Sequence, residues 1–464
     1  MAVLDLKIAA ARAVGGLARR AGRGGGTSLP GKVLMRLDAH AIERLAGRLP
    51  QGDAVVSATN GKTTTTAMAA TILEQAGSTL VSNRAGANMA GGIASTLLGA
   101  AGRRETISGE LGLFEVDEFW LDRVVPQLRP RVMLLGNLFR DQLDRYGELD
   151  IIADRWAALV GTMPQTELAL NADDPLIADL GRERAGVSYF GVEDPAMAMD
   201  EMQHASDSKH CRRCGAAYVY EAIYLGHLGR YRCPNCGQQR PVPTVAATDI
   251  ELQGTRGARF KLHAPTGVLP VTLPLPGLYN VYNALGAATL CLGLGVPLEQ
   301  VAAGLGAVSA AFGRAERISL GDHELSILLI KNPAGANEII RTLALESGEL
   351  DLLGVLNDGV ADGRDISWVW DADFELLVGH VRRFTCAGTR AAELALRLKY
   401  AGVPADRLEV VPALPAALDS ALAAAGEQSL YALPTYTALL QLRQELSRRG
   451  HVDPYWAPRE ATPA

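Results

Sequence analysis

The stretch Val55-Val56-Ser57-Ala58-Thr59-Asn60-Gly61-Lys62-Thr63-Thr64-Thr65-Thr66 constrains this chain more than any other. The apolar run from Ala54 to Val56 predicts a buried strand, Asn60-Gly61 a turn, and the residues beyond it a long helix. Such a turn leaves the first N–H groups of the helix unpaired, with the positive end of the dipole behind them. A polyphosphate fits there. Backbone N–H groups hold its oxygens, Lys62 reaches the terminal phosphates, and the Thr63 hydroxyl offers Mg²⁺ a ligand. The general phosphate-loop pattern wants a glycine five residues before Gly61, where this chain has Val56, so the match is to a shorter variant.

A chain of 464 residues has room for two or three domains, each with its own core. Its net charge of −6 argues against a protein built to neutralise nucleic acid. No run of apolar residues is long enough to span a bilayer. The first fifty residues are basic, with Lys7, Arg12, Arg19, Arg20, Arg23, Lys32, Arg36, Arg44 and Arg48 against Asp5, Asp38 and Glu43. They lack the apolar core and cleavage site of a secretory signal. Two readings stay open for them: a leader helix packed on the first domain, or an Arg-rich helix resting on an anionic membrane surface. Four of the six cysteines cluster, which suits a reducing cytoplasm and a metal better than a disulfide framework.

After the glycine-rich loop from Gly22 to Gly31, strands and helices alternate from Asp53 to about Val160, as in an α/β domain with a mostly parallel sheet. Ligands of such sheets sit at the carboxyl ends of strands. Leu111 to Glu118 brings Glu115 to such an end, well placed to ligate Mg²⁺ directly or through water. Arg131 to Asn137 ends another strand on an amide, followed by Asp141-Gln142-Leu143-Asp144-Arg145-Tyr146. Cys211-Arg212-Arg213-Cys214 and Cys233-Pro234-Asn235-Cys236, separated by eighteen residues, are the two knuckles of a structural four-thiolate zinc ribbon. The aromatic Tyr218 to Tyr231 segment between them predicts a hairpin, and a closed sulfur set leaves no position for catalytic water. Cys291 and Cys386 sit in apolar surroundings and read as core.

Further on, Asn280 and Asn283 lie three apart on one helical face, where an amide can meet a purine edge or cap the helix. Phe312-Gly313-Arg314 reads as a domain junction whose arginine can reach a γ-phosphate on closure. The final third resumes strand–helix alternation as a second α/β domain. Its densest polar stretch, Asn357 to Asp371, contains Asp358 and Asp362 and follows an apolar strand.

Together Thr59-Asn60-Gly61-Lys62-Thr63-Thr64, Glu115, Asp141 to Tyr146, Asn280, Asn283 and Arg314 resemble the Mur ligase family. The four-cysteine ribbon and the Asp358 to Asp371 stretch make the resemblance that of its lipid II isoglutaminyl synthase branch. The resemblance implies a leader over residues 1–50, a Mur ligase central ATP-binding domain over 51–315 with a zinc ribbon inserted at about 200–245, and a Rossmann-like α/β domain over 316–464. It implies that Lys62 and Thr63 hold phosphates and Mg²⁺, that Asn280 or Asn283 meets adenine, and that Arg314 meets the terminal phosphate. The implied reaction is ATP-dependent amidation of the D-glutamate α-carboxylate of lipid II to D-isoglutamine through an acyl phosphate, at the inner membrane face. No nucleophile elbow for a glutaminase is present, so ammonia must be supplied from outside. The resemblance implies a GatD-like glutamine amidotransferase subunit in a heterodimer as the supplier, with Asp358 or Asp362 completing that partner's Cys–His pair.

Three departures from the family pattern stand out. Gln142 replaces a metal-binding histidine, Asp154-Arg155-Trp156-Ala157 stands where many members carry a carbamylated lysine, and Ala58 replaces a glycine. The number of magnesium ions therefore stays open. Two other functions compete. One is a stand-alone amino-acid ligase of the Mur or folylpolyglutamate type, which would want the N-terminal substrate domain and the lysine. The other is a zinc-ribbon NTPase binding nucleic acid through Arg212, Arg213, Arg230 and Arg232, against which the acidic total stands.

Overall fold

The computed structural model describes residues 2–20, 28–83, 87–102, 106–140, 149–203, 206–308, 314–321, 323–425 and 429–453. Of the sequence features above, most of the Gly22 to Gly31 loop, the Asp141 to Tyr146 motif with Gln142, and Phe312-Gly313 lie outside the described residues.

A nine-stranded sheet forms the first half of the molecule. Its strands are β1 (Asp53–Ser57), β2 (Leu80–Ser82), β3 (Leu111–Glu115), β4 (Val132–Leu135), β5 (Glu167–Asn171) and β6 (Val187–Val192), then β9 (Val245–Leu252), β10 (Ala258–Ala264) and β11 (Gly267–Leu273). They run in the order β11-β10-β9-β6-β5-β4-β1-β3-β2. From β2 to β9 every neighbouring pair is parallel, while β9, β10 and β11 form an antiparallel edge. Parallel strands need crossover helices, which cover both faces, and β1 shows the consequence. Ala54 and Val56 point into the cluster holding Met68, Ile72 and Leu285, whereas Val55 joins Ile93, Val125 and Trp156 on the other face. Period-two alternation inside a wholly buried strand is why Ala54 to Val56 reads as an unbroken apolar run.

The cysteine segment leaves the sheet after β6 and returns with β9; between them β7 (Val219–Leu225) and β8 (Leu228–Arg232) form the expected antiparallel hairpin. A second sheet follows: β12 (Arg314–Leu320), β13 (His323–Leu328), β14 (Leu350–Val355), β15 (Val381–Ala387), β16 (Leu408–Val410) and β17 (Leu430–Pro434). Its order is β12-β13-β17-β14-β15-β16, with only β12 antiparallel to its neighbour. Along β14 the alternation repeats, Leu350 and Leu352 facing Ile340 and Leu394, Leu353 and Val355 facing Leu418 and Leu439.

The leader helix Ala2–Arg20 packs on the first half, with Ile8 and Ala11 buried in the same cluster as Leu34 and Leu97. Lys7 pairs with Asp38 at 3.2 Å, and Arg12 donates to the Leu98 carbonyl at 2.7 Å. No helix among the described residues is long and apolar enough to cross a membrane.

Candidate functional site

The phosphate loop stands between β1 and the helix Lys62–Gln75. Gly61 precedes the helix at φ +83°, and a Cβ there would lie 2.0 Å from Asn283 Oδ1, so both the conformation and the space demand glycine. The loop is held from its flank. Asn137, the amide ending β4, accepts from Asn60 N at 2.9 Å and donates to Asn60 O at 3.0 Å, a two-point clamp that mimics a strand neighbour.

Lys62 is only 8% exposed, and its Nζ donates to Glu118 Oε2 at 2.7 Å and to the Thr59 carbonyl at 3.4 Å. Burial works against the ammonium, but the carboxylates of Glu118, Glu115 and Asp117 outweigh it and lift the group above the ordinary lysine value. Asp117 is itself raised, by burial first and then by Glu118. Three acids around one buried cation leave an excess of negative charge where β3 ends. That donor set suits a divalent cation, with Glu115 available to it. Glu115 is positioned by its backbone N–H to Asn83 Oδ1 at 2.9 Å and by Asn88 Nδ2 donating to Oε1 at 3.0 Å. Arg155 donates to Asp122 at 2.7 Å and to the Phe119 carbonyl at 3.0 Å. Trp156 is fully buried with its indole N–H on the Glu118 carbonyl. That position supports the carboxylate turn from behind and offers no ligand.

A cleft of about 840 Å³, counted out to its mouth, opens beside the loop. Asn60, Gly61, Thr64 and Asn283 line one side, Phe139, Leu225, Leu228 and Tyr282 the back, and Lys331, Gly335, Glu338 and Ile339 of the second half the other side. The two halves touch at the loop itself, where Asn332 Nδ2 donates to Asn60 Oδ1 at 2.9 Å. Asn332 also caps its own helix, Pro333–Ala344, accepting from Gly335 N at 2.9 Å. The asparagine pair divides its work. Asn280 donates to the Pro276 carbonyl at 2.8 Å and accepts from Asn283 at 3.0 Å, whereas Asn283 faces the cleft and receives Thr65 Oγ1 at 3.2 Å. Arg314 opens β12; its side chain lies outside the described residues.

The thiols of Cys211, Cys214, Cys233 and Cys236 all lie within 4.8 Å of one another, with Cys211–Cys236 at 3.5 Å and Cys214–Cys233 at 3.4 Å. Four sulfurs about 2.3 Å from one Zn²⁺ would be about 3.8 Å apart, so the set can hold such an ion after small adjustment. The Ala216 N–H, helped by Asn235 and Cys233, pulls the Cys214 thiol down to about 6, whereas against the Gln238 N–H burial and the neighbouring thiols push Cys236 up to about 12.

The two C-terminal aspartates differ. Asp362 is 4% exposed and occupied, accepting from Thr437 N at 2.7 Å, from the Thr437 hydroxyl, and from Gly359 N at 3.2 Å. Asp358 lies at the surface, with Thr389 Oγ1 at 2.8 Å and Arg390 Nε at 3.5 Å.

In the sequence Asn137 is only the end of a strand and Glu118 one residue of an acidic stretch. The loop's partners are distant in sequence, so only the fold brings them together.

A phosphate loop at a strand end, a carboxylate cluster beside its lysine, and a cleft closed by a second α/β unit define a Mur-type ligase. Residues 56–237 match the family model for the Mur ligase middle domain, and residues 329–439 that for the MurT ligase C-terminal region. The chain is 33% identical to the lipid II isoglutaminyl synthase (glutamine-hydrolyzing) subunit MurT of Streptococcus pneumoniae, over 92% of this chain and 93% of that protein. It is also 33% identical to the Staphylococcus aureus N315 subunit of that name, over 93% and 96%. Among solved structures it resembles a pseudomurein peptide ligase type C from Methanothermus fervidus, with TM-score 0.66 and 22% identity, covering 86% of this chain and 79% of that one. The chain belongs to the MurT family.

Proposed function

We propose that this chain is the ATP-dependent synthase subunit of a lipid II isoglutaminyl synthase, converting the D-glutamate α-carboxylate of the stem peptide to D-isoglutamine. The observation that carries the reading is the buried Lys62 among Glu115, Asp117 and Glu118, next in sequence to Gly61, which lines a cleft walled by both halves, in a chain of this family. A carboxylate is a poor electrophile. Its oxygen attacks the γ-phosphorus of ATP, ADP leaves, and the acyl phosphate forms; ammonia then attacks the carbonyl carbon, phosphate departs, and a proton is lost. Lys62 leaves Glu118 for the phosphates, and the loop N–H groups hold their oxygens. Thr63 and Glu115 would hold Mg²⁺, which would supply charge neutralisation at the phosphates. Asn283 meets the base more directly than Asn280, and Arg314 is the candidate for the terminal phosphate. Zn²⁺ on the four cysteines is structural. The working division is a leader to residue 50, a central domain to 315 and a C-terminal domain to 464.

Ammonia arrives from a GatD-like glutaminase subunit, whose Cys–His pair one aspartate of this chain completes. Asp358 is the accessible one, and Asp362 holds the turn beneath it. Asp358→Asn is expected to abolish glutamine-dependent amidation while ammonia-dependent amidation persists; full glutamine-dependent turnover would refute the shared triad. Asp362→Asn is expected to lower the C-terminal half's melting temperature as well. A lipid-linked substrate places the chain at the inner membrane face. The outer stripe of the leader helix supports this, with Leu6 73% and Leu17 65% exposed, in a segment whose sequence is basic. Co-sedimentation with anionic but not neutral vesicles is the expected result.

A further inference from the structure

The four-cysteine lobe looks peripheral in the sequence, yet its hairpin turn reaches the cleft. Cys233 directly follows β8, and five residues earlier Leu228 lines the cavity, roughly 17 Å away along an extended strand. Leu225 and Leu228 flank the two-residue turn Gly226-His227 and share one apolar cluster with Phe139, Tyr282 and Ala334, all cavity residues. The turn is seated tightly. Gly226 has φ +56°, its N–H donates to Gln203 Oε1 at 2.9 Å, and a Cβ there would come within 2.9 Å of Phe139. His227 is fully buried, its ring 4.6 Å from that of Phe139 and its carbonyl held by Tyr220 OH at 3.0 Å.

The hairpin is also tied to both walls. Gly229 N donates to the Asp173 carbonyl at 2.9 Å, and Asp173 Oδ2 receives the hydroxyl of Tyr282, a cleft residue, at 2.6 Å. Toward the second half, Arg341 Nη1 donates to the Tyr224 carbonyl at 3.1 Å and to Glu338 at 3.2 Å. Arg341 and Glu338 belong to the helix Pro333–Ala344, which supplies the opposite wall.

We propose that the ribbon is part of the nucleotide site: its turn, through Leu225 and Leu228, forms the apolar wall against which the base packs, and its bond to Arg341 fixes the opposite wall. This deepens the ATP reading above and rests on it. Phosphates are held by the loop, so the ribbon acts on the base and not on the phosphate chain.

That division supplies the test. Binding of Mg-AMPPNP and of magnesium tripolyphosphate is measured by calorimetry on the full chain, for the wild type, Leu225→Ala, Leu228→Ala and the conservative Leu228→Met. Each alanine variant is expected to weaken AMPPNP about tenfold, about 1.4 kcal/mol, and to leave tripolyphosphate unchanged, with Leu228→Met near wild type. Equal AMPPNP affinity in all four proteins overturns the proposal, as does parallel weakening of both ligands. A wild type that binds neither ligand sinks the ATP reading itself, a different failure. Cys211→Ser, which unmakes the thiolate set at the far end of the hairpin, is expected to weaken AMPPNP too; should it not fold, the leucine variants still decide.

Discussion

Replacing Lys62 by methionine removes the buried cation and leaves its acids in place. Glu118 is 5% exposed, so it cannot recover solvent, and it then faces Glu115 and Asp117 unopposed. Breaking a buried pair from one side costs about 3–5 kcal/mol. At about 2–4 °C per kcal/mol for a unit of 150–250 residues, the first-half transition should fall by about 10 °C. The sign with pH follows from the direction of the shift. Lys62 is raised when folded, so its stabilisation is complete below the ordinary lysine value and is lost only as pH rises through the raised one. The deficit of Lys62→Met should therefore be steady around pH 7–8. Glu118→Gln costs less, because Lys62 still faces two carboxylates. The double variant Lys62→Met/Glu118→Gln should recover at least about 1 kcal/mol over Lys62→Met, the coupling expected of residues in contact. Calorimetric melts of the four proteins without nucleotide read this directly. Lys62→Met melting with the wild type, or losses that simply add, would refute the reasoning.

Burial alone pushes the Asp53 carboxyl up to about 8, and its Oδ1 has no hydrogen-bond partner. Between the ordinary aspartate value of 3.8 and about 8 the folded chain keeps a proton that the unfolded chain has lost, so stability falls as pH rises through that window. Asp53→Asn should melt a few degrees above the wild type at pH 9 and with it at pH 4. Elemental analysis of protein purified without chelator should find one zinc per chain, lost in Cys233→Ser. Gly61→Ala should abolish nucleotide binding, since its methyl group needs the space of Asn283 and its backbone stays at φ +83°; unchanged affinity in a direct titration would contradict that geometry.

Much of this was readable in advance because the signals are local. The phosphate loop needs one glycine at positive φ after a buried strand, and the ribbon needs two short knuckles; both are written within a few residues. Strand–helix alternation was legible for the same reason, since each β segment carries its own period. What escaped were contacts between distant positions. Nothing near Glu118 says that it will hold Lys62, and nothing near Asn332 says that it will reach Asn60 across the molecule. The asparagine pair was seen as a pair, but the division into one structural and one cleft-facing amide depends on where Pro276 turns. The aspartates likewise separate only by burial, which Thr437, far along the chain, decides.

The most direct test of the central claim follows an oxygen atom. Lipid II carrying ¹⁸O in the D-glutamate α-carboxylate is incubated with this chain, its glutaminase partner, glutamine and Mg-ATP. Passage through an acyl phosphate predicts one ¹⁸O in each phosphate released and one amide formed per ADP. Amide formation with the expelled ¹⁸O found in water, or in AMP, would contradict it.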